Sequence, residues 1–222
     1  MRRVQARAIH IGADALAWPG HAHMSVLRGC RDTLTRMMRL ARAAGIQEQR
    51  CLAGTQATCA AVAETIACEA TALAPDGLLV VTFSGHTEWK HDQTFWCLHD
   101  GEIPLGEMAA CLAGAAASAC IVVVADTCNG VALRRYADLA ATLVLIAACG
   151  DDQYTMNYTT SEFIVRLEEL TFPGGIRNAG CTTYRWLHEQ LQHDTPDVER
   201  PEIWTNREAA WLHRPFELQT HD

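Results

Sequence analysis

Residues 119–130 read ACIVVVADTCNG. The run Ile121-Val122-Val123-Val124 has no polar alternation, so both of its faces expect apolar neighbours, as in an inner strand of a parallel sheet. Polarity returns at Asp126-Thr127-Cys128, and Gly130 breaks the run. In open α/β sheets ligands sit at the carboxyl ends of the strands, which puts Cys128 where chemistry is usually done. Residues 78–87, LLVVTFSGHT, repeat the construction: an apolar run ending in Ser84-Gly85-His86-Thr87. If the two strands lie side by side and parallel, His86 and Cys128 reach the same sheet edge. A thiol beside an imidazole is the minimum for cysteine nucleophilic catalysis, because the base forms the thiolate and later protonates the leaving group. Taken singly each residue reads as an ordinary strand end; taken together they read as a catalytic pair.

Outward from these strands, the chain alternates. Val4 to Ile11 and Gln49 to Ala53 read as strands, and so does Thr142 to Ala148. Arg31 to Ala44 reads as a helix with Leu34, Met37, Met38 and Ala41 on one face and Gly45 as its stop. Thr58 to Leu73 carries Val62, Ile66, Ala70 and Leu73 on one stripe. Leu105 to Leu112, Ser161 to Leu170 (with Ser161 as cap) and Thr183 to Gln192 are further helices. Thr87 to Gly106 is aromatic and charged, and reads as a small hairpin turning at Asp100-Gly101. Val131 to Leu139 is short and partly helical, Phe172 to Gly175 is a loop, and Glu202 to Thr205 follows Pro201 as an edge strand. Strands alternating with helices predict a mostly parallel α/β sheet with helices on both faces. The 222 residues fit one domain spanning 1–222.

Composition narrows the function. The formal net charge of −8 argues against a nucleic-acid partner and is compatible with a basic peptide substrate. None of the ten cysteines forms a C-x-x-C pair, so a zinc ribbon or redox motif is not expected. Most lie in apolar context, as buried reduced thiols do, which points to a reducing cytoplasm. Met1-Arg2-Arg3 has no apolar stretch behind it, and the longest apolar run, Leu139 to Cys149, is too short to cross a bilayer. His21 and His23 sit in a Pro- and Gly-containing loop without further ligands nearby, so neither a metal nor any other cofactor is expected.

Ser-Gly-His after one apolar strand and Asp-x-Cys after the next resemble the caspase and metacaspase superfamily of cysteine endopeptidases. Residues 143–153, LVLIAACGDDQ, resemble the metacaspase strand and the loop after it, and Leu27-Arg28-Gly29-Cys30 resembles the start of the family's first helix. The resemblance runs from about residue 8 to about residue 172 and implies a three-layer caspase-like sandwich with a six-stranded sheet. It also implies peptide hydrolysis through an acyl-enzyme, with Cys128 as nucleophile, His86 as base and acid, and the backbone N–H groups of Cys128 and Thr87 as oxyanion donors. The family usually has Gly at the Thr87 position. Asp126 falls where metacaspases hold an acidic residue facing a basic substrate side chain, implying cleavage after Arg and then Lys; read alone, it is also a candidate cap of the following turn. Counting back from Gly45 puts Asp32 on the family's Asn position and Thr33 on its second acidic position. Asp32 then either turns into the pocket or is an N-terminal helix carboxylate. Ser84 and Cys30 would line the same pocket, and Asp151 and Asp152 would add charge at its rim. The acidic calcium cluster of many metacaspases has no clear counterpart around Glu88 to Asp100, so calcium is not expected to be required.

The expected partners are a peptide or protein substrate with a basic residue at the cut and a regulatory protein, with no membrane involved. A prokaryotic stress or antiviral defence setting follows from the resemblance alone. The rival reading is a catalytically silent caspase-like binding module. A doubly wound hydrolase or nucleotide-binding domain lacks its G-x-S-x-G, G-x-G-x-x-G or P-loop here. Arg134-Arg135 would suit self-cleavage, but the short segment and the turn-spaced Leu133, Tyr136 and Leu139 predict a chain that stays intact.

Overall fold

The computed structural model describes residues 5–14, 16–18, 27–151, 153, 161–171, 183–193 and 200–217. His21, His23, Asp152, the Phe172 to Gly175 loop and Cys181 lie outside the described residues.

Strand β1 (Ala6–Gly12) is followed by α1 (Cys30–Ala43), β2 (Glu48–Ala53), α2 (Cys59–Thr71) and β3 (Leu78–Ser84). Three short strands come next: β4 (Thr87–Lys90), β5 (Gln93–Leu98) and β6 (Gly101–Pro104). Then come α3 (Leu105–Leu112), β7 (Cys120–Asp126), β8 (Thr142–Ala147), α4 (Glu162–Thr171), α5 (Tyr184–His193) and β9 (Glu202–Thr205). The main sheet has six strands in the order β2-β1-β3-β7-β8-β9, parallel except for the antiparallel edge strand β9.

The apolar runs behave as their lack of alternation requires. Leu79, Val81, Phe83, Ile121 and Val123 face a core shared with Val62 and Ile66 of α2 and Leu105 and Met108 of α3. Their neighbours Leu78, Val80, Val122 and Val124 face a second core with Met37 and Leu40 of α1, Ile164 and Leu167 of α4, and Leu187 of α5. Successive side chains of a strand point to opposite faces, so a strand buried on both sides must be apolar throughout. The result is three layers, with helices covering both faces of the sheet.

The aromatic segment forms a three-stranded antiparallel sheet rather than one hairpin. Its first turn uses His91 and Asp92, both in the left-handed region that a tight hairpin favours (φ 50° and 60°). Leu98 pairs with Gly101, so the second turn is His99-Asp100, one residue earlier than the Asp-Gly signal suggests. Trp96 stacks on Phe83 with ring centroids 4.2 Å apart, which fastens the small sheet to the end of β3. Such a contact adds about 1 kcal/mol beyond the area it buries.

The segment after β7 is a 3-10 helix, Ala132–Tyr136, with Leu133 and Leu139 buried and Tyr136 packed against the same core. No helix among the described residues is long and apolar enough to cross a membrane. No disulfide links the described cysteines.

Candidate active site

β3 and β7 are adjacent and parallel, and the register pairs Ser84 with Asp126 at their carboxyl ends. His86 and Cys128 each follow that pair by two residues, so both leave the sheet at one edge and from neighbouring strands. Both are half-buried. The two strand ends are also joined directly: the Thr87 hydroxyl donates to the Cys128 carbonyl oxygen at 2.6 Å. Thr87 thus brings a backbone N–H and a side-chain tether to the Cys128 loop, a use of its Cβ hydroxyl that glycine could not supply. The His86 carbonyl accepts from the Cys97 N–H at 2.9 Å, anchoring the histidine turn to β5.

Below this edge lies Asp126, 2% exposed. Three hydroxyls donate to its carboxylate: Thr33 to Oδ2 at 2.7 Å, Ser84 to Oδ2 at 2.9 Å and Ser161 to Oδ1 at 2.7 Å. A buried carboxylate without such donors would be costly. Cys30 shares the site. Burial pushes its thiol up to about 12, Asp126 adds to this and the Ser84 hydroxyl opposes it, so Cys30 is a neutral lining group. Cys30, Thr33, Ser84, Asp126 and Ser161 therefore form one buried polar cluster drawn from α1, β3, β7 and the residue before α4.

Two of the expected pocket carboxylates are engaged elsewhere. Asp32 does not turn toward Asp126; its Oδ2 accepts from Arg36 Nε at 2.8 Å, one turn along α1. One step of helix rotation separates it from Thr33, and the buried side of α1 presents Thr33, Leu34 and Met37. Asp151 accepts from Arg134 Nη2 at 2.7 Å and lies 3.2 Å from Arg135 Nη2. Ser161 is the residue that the sequence reading left as a helix cap. It does cap α4, accepting from the Ile164 N–H at 3.3 Å, while donating to Asp126. Local sequence signals the first role; nothing local signals the second, because its partner lies in β7.

One group of potential metal ligands stands outside the Asp126 cluster. Glu88, Cys97 and Glu102 bring one ligand atom each within 4.8 Å of one another. The Lys90 ammonium pairs with Glu102 and lies 3.6 Å from Glu88, so a fixed cation already serves the cluster. Burial pushes the Cys97 thiol up to about 12, which disfavours the thiolate that a metal needs.

No protein-family model matches the chain, and no curated protein matches it significantly. Solved structures do. Protein GSU0716 from Geobacter sulfurreducens superimposes with a TM-score of 0.80 at 23% identity, over 97% of this chain and 100% of that one. Caspase-1 from Spodoptera frugiperda superimposes with a TM-score of 0.61 at 14% identity, over 99% of this chain and 92% of that one. The fold is caspase-like.

Proposed function

We propose that the protein is a cysteine endopeptidase that cleaves peptide bonds after Arg and, less well, Lys. The observation that supports the reading is the in-register parallel pairing of β3 with β7, in which His86 and Cys128 each follow the paired Ser84 and Asp126 by two residues. In this reading Cys128 attacks the scissile carbonyl and His86 takes its proton, then returns one to the leaving amine. Water, activated by the same imidazole, releases the acyl group. The backbone N–H groups of Cys128 and Thr87 serve the oxyanion. Asp126 meets the basic side chain of the substrate, for which a carboxylate is the natural partner. With Thr33 where a second acid would stand, the cluster carries one carboxylate rather than two, ringed by hydroxyls.

A basic peptidyl chloromethyl ketone tests this directly. It should label wild-type protein at Cys128 and spare Cys128→Ala, and a fluorogenic panel should rank Arg above Lys with negligible turnover after Asp. Preference for acidic residues would overturn the specificity. Absence of both labelling and turnover would favour the silent binding module.

A further inference from the structure

The turn after Cys128 carries Arg134 on a 3-10 helix whose Ala132 and Leu133 are buried. Arg134 is heavily engaged. Its Nη2 donates to Asp151 Oδ2 at 2.7 Å and its Nη1 to Glu202 Oε1 at 2.8 Å. Arg135 adds a second cation 3.2 Å from Asp151 Oδ2. One guanidinium thus fastens the turn after β7, the loop after β8 and the first residue of β9.

The loop held by Asp151 in turn holds the residue after Cys128. The Asn129 N–H donates to the Gln153 carbonyl oxygen at 3.1 Å. The same oxygen accepts from the Cys149 thiol at 3.3 Å, and Gln153 Oε1 accepts from the Gly150 N–H at 2.9 Å. Cys149 and Gly150 are thus tied to Gln153, and Gln153 to the Asn129 backbone. Asn129 sits in the left-handed region at φ 50°, and a Cβ on Gly130 would come within 2.7 Å of Ala147 Cβ. The Asn129 N–H is held from the other side by Gln153, two residues past the Asp151 that Arg134 binds.

We propose that Arg134 is a positioning residue for the reaction at Cys128. It acts as a two-armed latch that holds Asp151 against the turn after β7 and, through the Gln153–Asn129 contact, keeps the Cys128 N–H aimed at the developing oxyanion. The inference rests on reading Cys128 as the nucleophile. It gives the Arg134-Arg135 pair a role other than that of a cleavage site. A planar guanidinium can serve two carboxylates from its separate arms, whereas a lysine presents one point charge.

The test compares wild type with Arg134→Gln and Arg134→Lys. With a peptidyl-Arg substrate, Arg134→Gln should lose about tenfold in kcat with KM changed less than about twofold, because an oxyanion donor acts on the transition state. Binding of a peptidyl-Arg aldehyde, which forms an oxyanion on Cys128, should weaken in parallel. Alkylation of Cys128 by iodoacetamide needs no oxyanion hole and should keep its rate. Arg134→Lys should restore part of kcat. Amide exchange across residues 128–131 should quicken in Arg134→Gln whatever the substrate. Unchanged kcat and unchanged exchange would overturn the latch while leaving the peptidase reading intact. So would iodoacetamide labelling that falls in step with kcat, since that marks general loosening. If wild type shows neither labelling nor turnover, the peptidase reading falls and the positioning role with it, whereas active wild type with unchanged kcat in Arg134→Gln overturns the latch alone.

Discussion

At the scale of single residues, the proposed reaction separates groups that would act from groups that hold. His86 and Cys128 lie beyond the strand ends and are half-buried, so neither contributes to the two cores. Cys128→Ala and His86→Ala should each abolish peptide cleavage with an unchanged thermal midpoint. Substantial turnover by purified Cys128→Ala would contradict the assignment. Asp126 differs, because it both holds and acts. Asp126→Ala removes the partner of a buried substrate cation and should lower kcat/KM for Arg substrates by ~10²-fold or more, with KM raised. The same change strands the hydroxyls of Thr33, Ser84 and Ser161, so some stability is lost as well. An Asp126→Ala enzyme with unaltered kcat/KM would show that the carboxylate is a strut alone.

Among elements, α1 and the cap residue of α4 each give one hydroxyl to Asp126, from Thr33 and Ser161. They are also tied to each other away from it. Glu168 of α4, nine-tenths buried, accepts from both Arg36 and Arg39 of α1. Arg36 in turn reaches Asp32, whereas Thr33 is the α1 side chain that meets Asp126. Charged hydrogen bonds of this kind contribute more than neutral ones, though the exposure of Arg39 discounts its share. Glu168→Ala should lower stability by about 2 kcal/mol, read from urea unfolding with an unchanged slope. A change within a few tenths would mean that apolar packing alone fixes α1 against α4.

The whole molecule depends on pH through a histidine far from the chemistry. His10, in the middle of β1, is fully buried with Nδ1 3.2 Å from the Thr82 hydroxyl. Burial lowers its pKa from 6.5 to about 4, opposed by Gln49. The unfolded chain takes up this proton first. The stability His10 contributes is therefore complete above pH 6.5 and is lost as pH falls toward 4, about 3 kcal/mol in full. His188 is lowered in the same direction, first by burial and then by Arg200, and adds to the same trend. The urea midpoint should fall as pH drops below 6.5, and His10→Gln should flatten that fall; equal slopes would rule it out. Resistance to self-cleavage is also expected from global packing. Leu133 and Leu139 are buried and Arg134 is doubly paired, so the one dibasic site after Cys128 would have to melt before it could be cut. Intact-mass measurement of active protein should give one species, and fragments meeting at Arg134 or Arg135, absent in Cys128→Ala, would overturn this.

The order of strands and helices was legible because burial on both faces demands unbroken apolar runs, and the residues 121–124 and 78–83 show them in the sequence itself. The ends of those runs pointed to His86 and Cys128 because polar residues gather where a parallel strand leaves the sheet, even though Ser84, Asp126 and Thr127 remain buried there. Strand β9 was readable as an edge from its shortness and the proline before it. Tertiary structure alone decided how side chains from separate elements meet. Thr33 rather than Asp32 faces Asp126 because of how α1 is rotated on the sheet, and rotation is set by packing against β1, β3 and α4. Ser161 gained a second role, and Asp151 was drawn to Arg134, across gaps in the chain that no periodicity spans. Periodicity encodes which face of an element is buried; it carries no record of which partner that face will find.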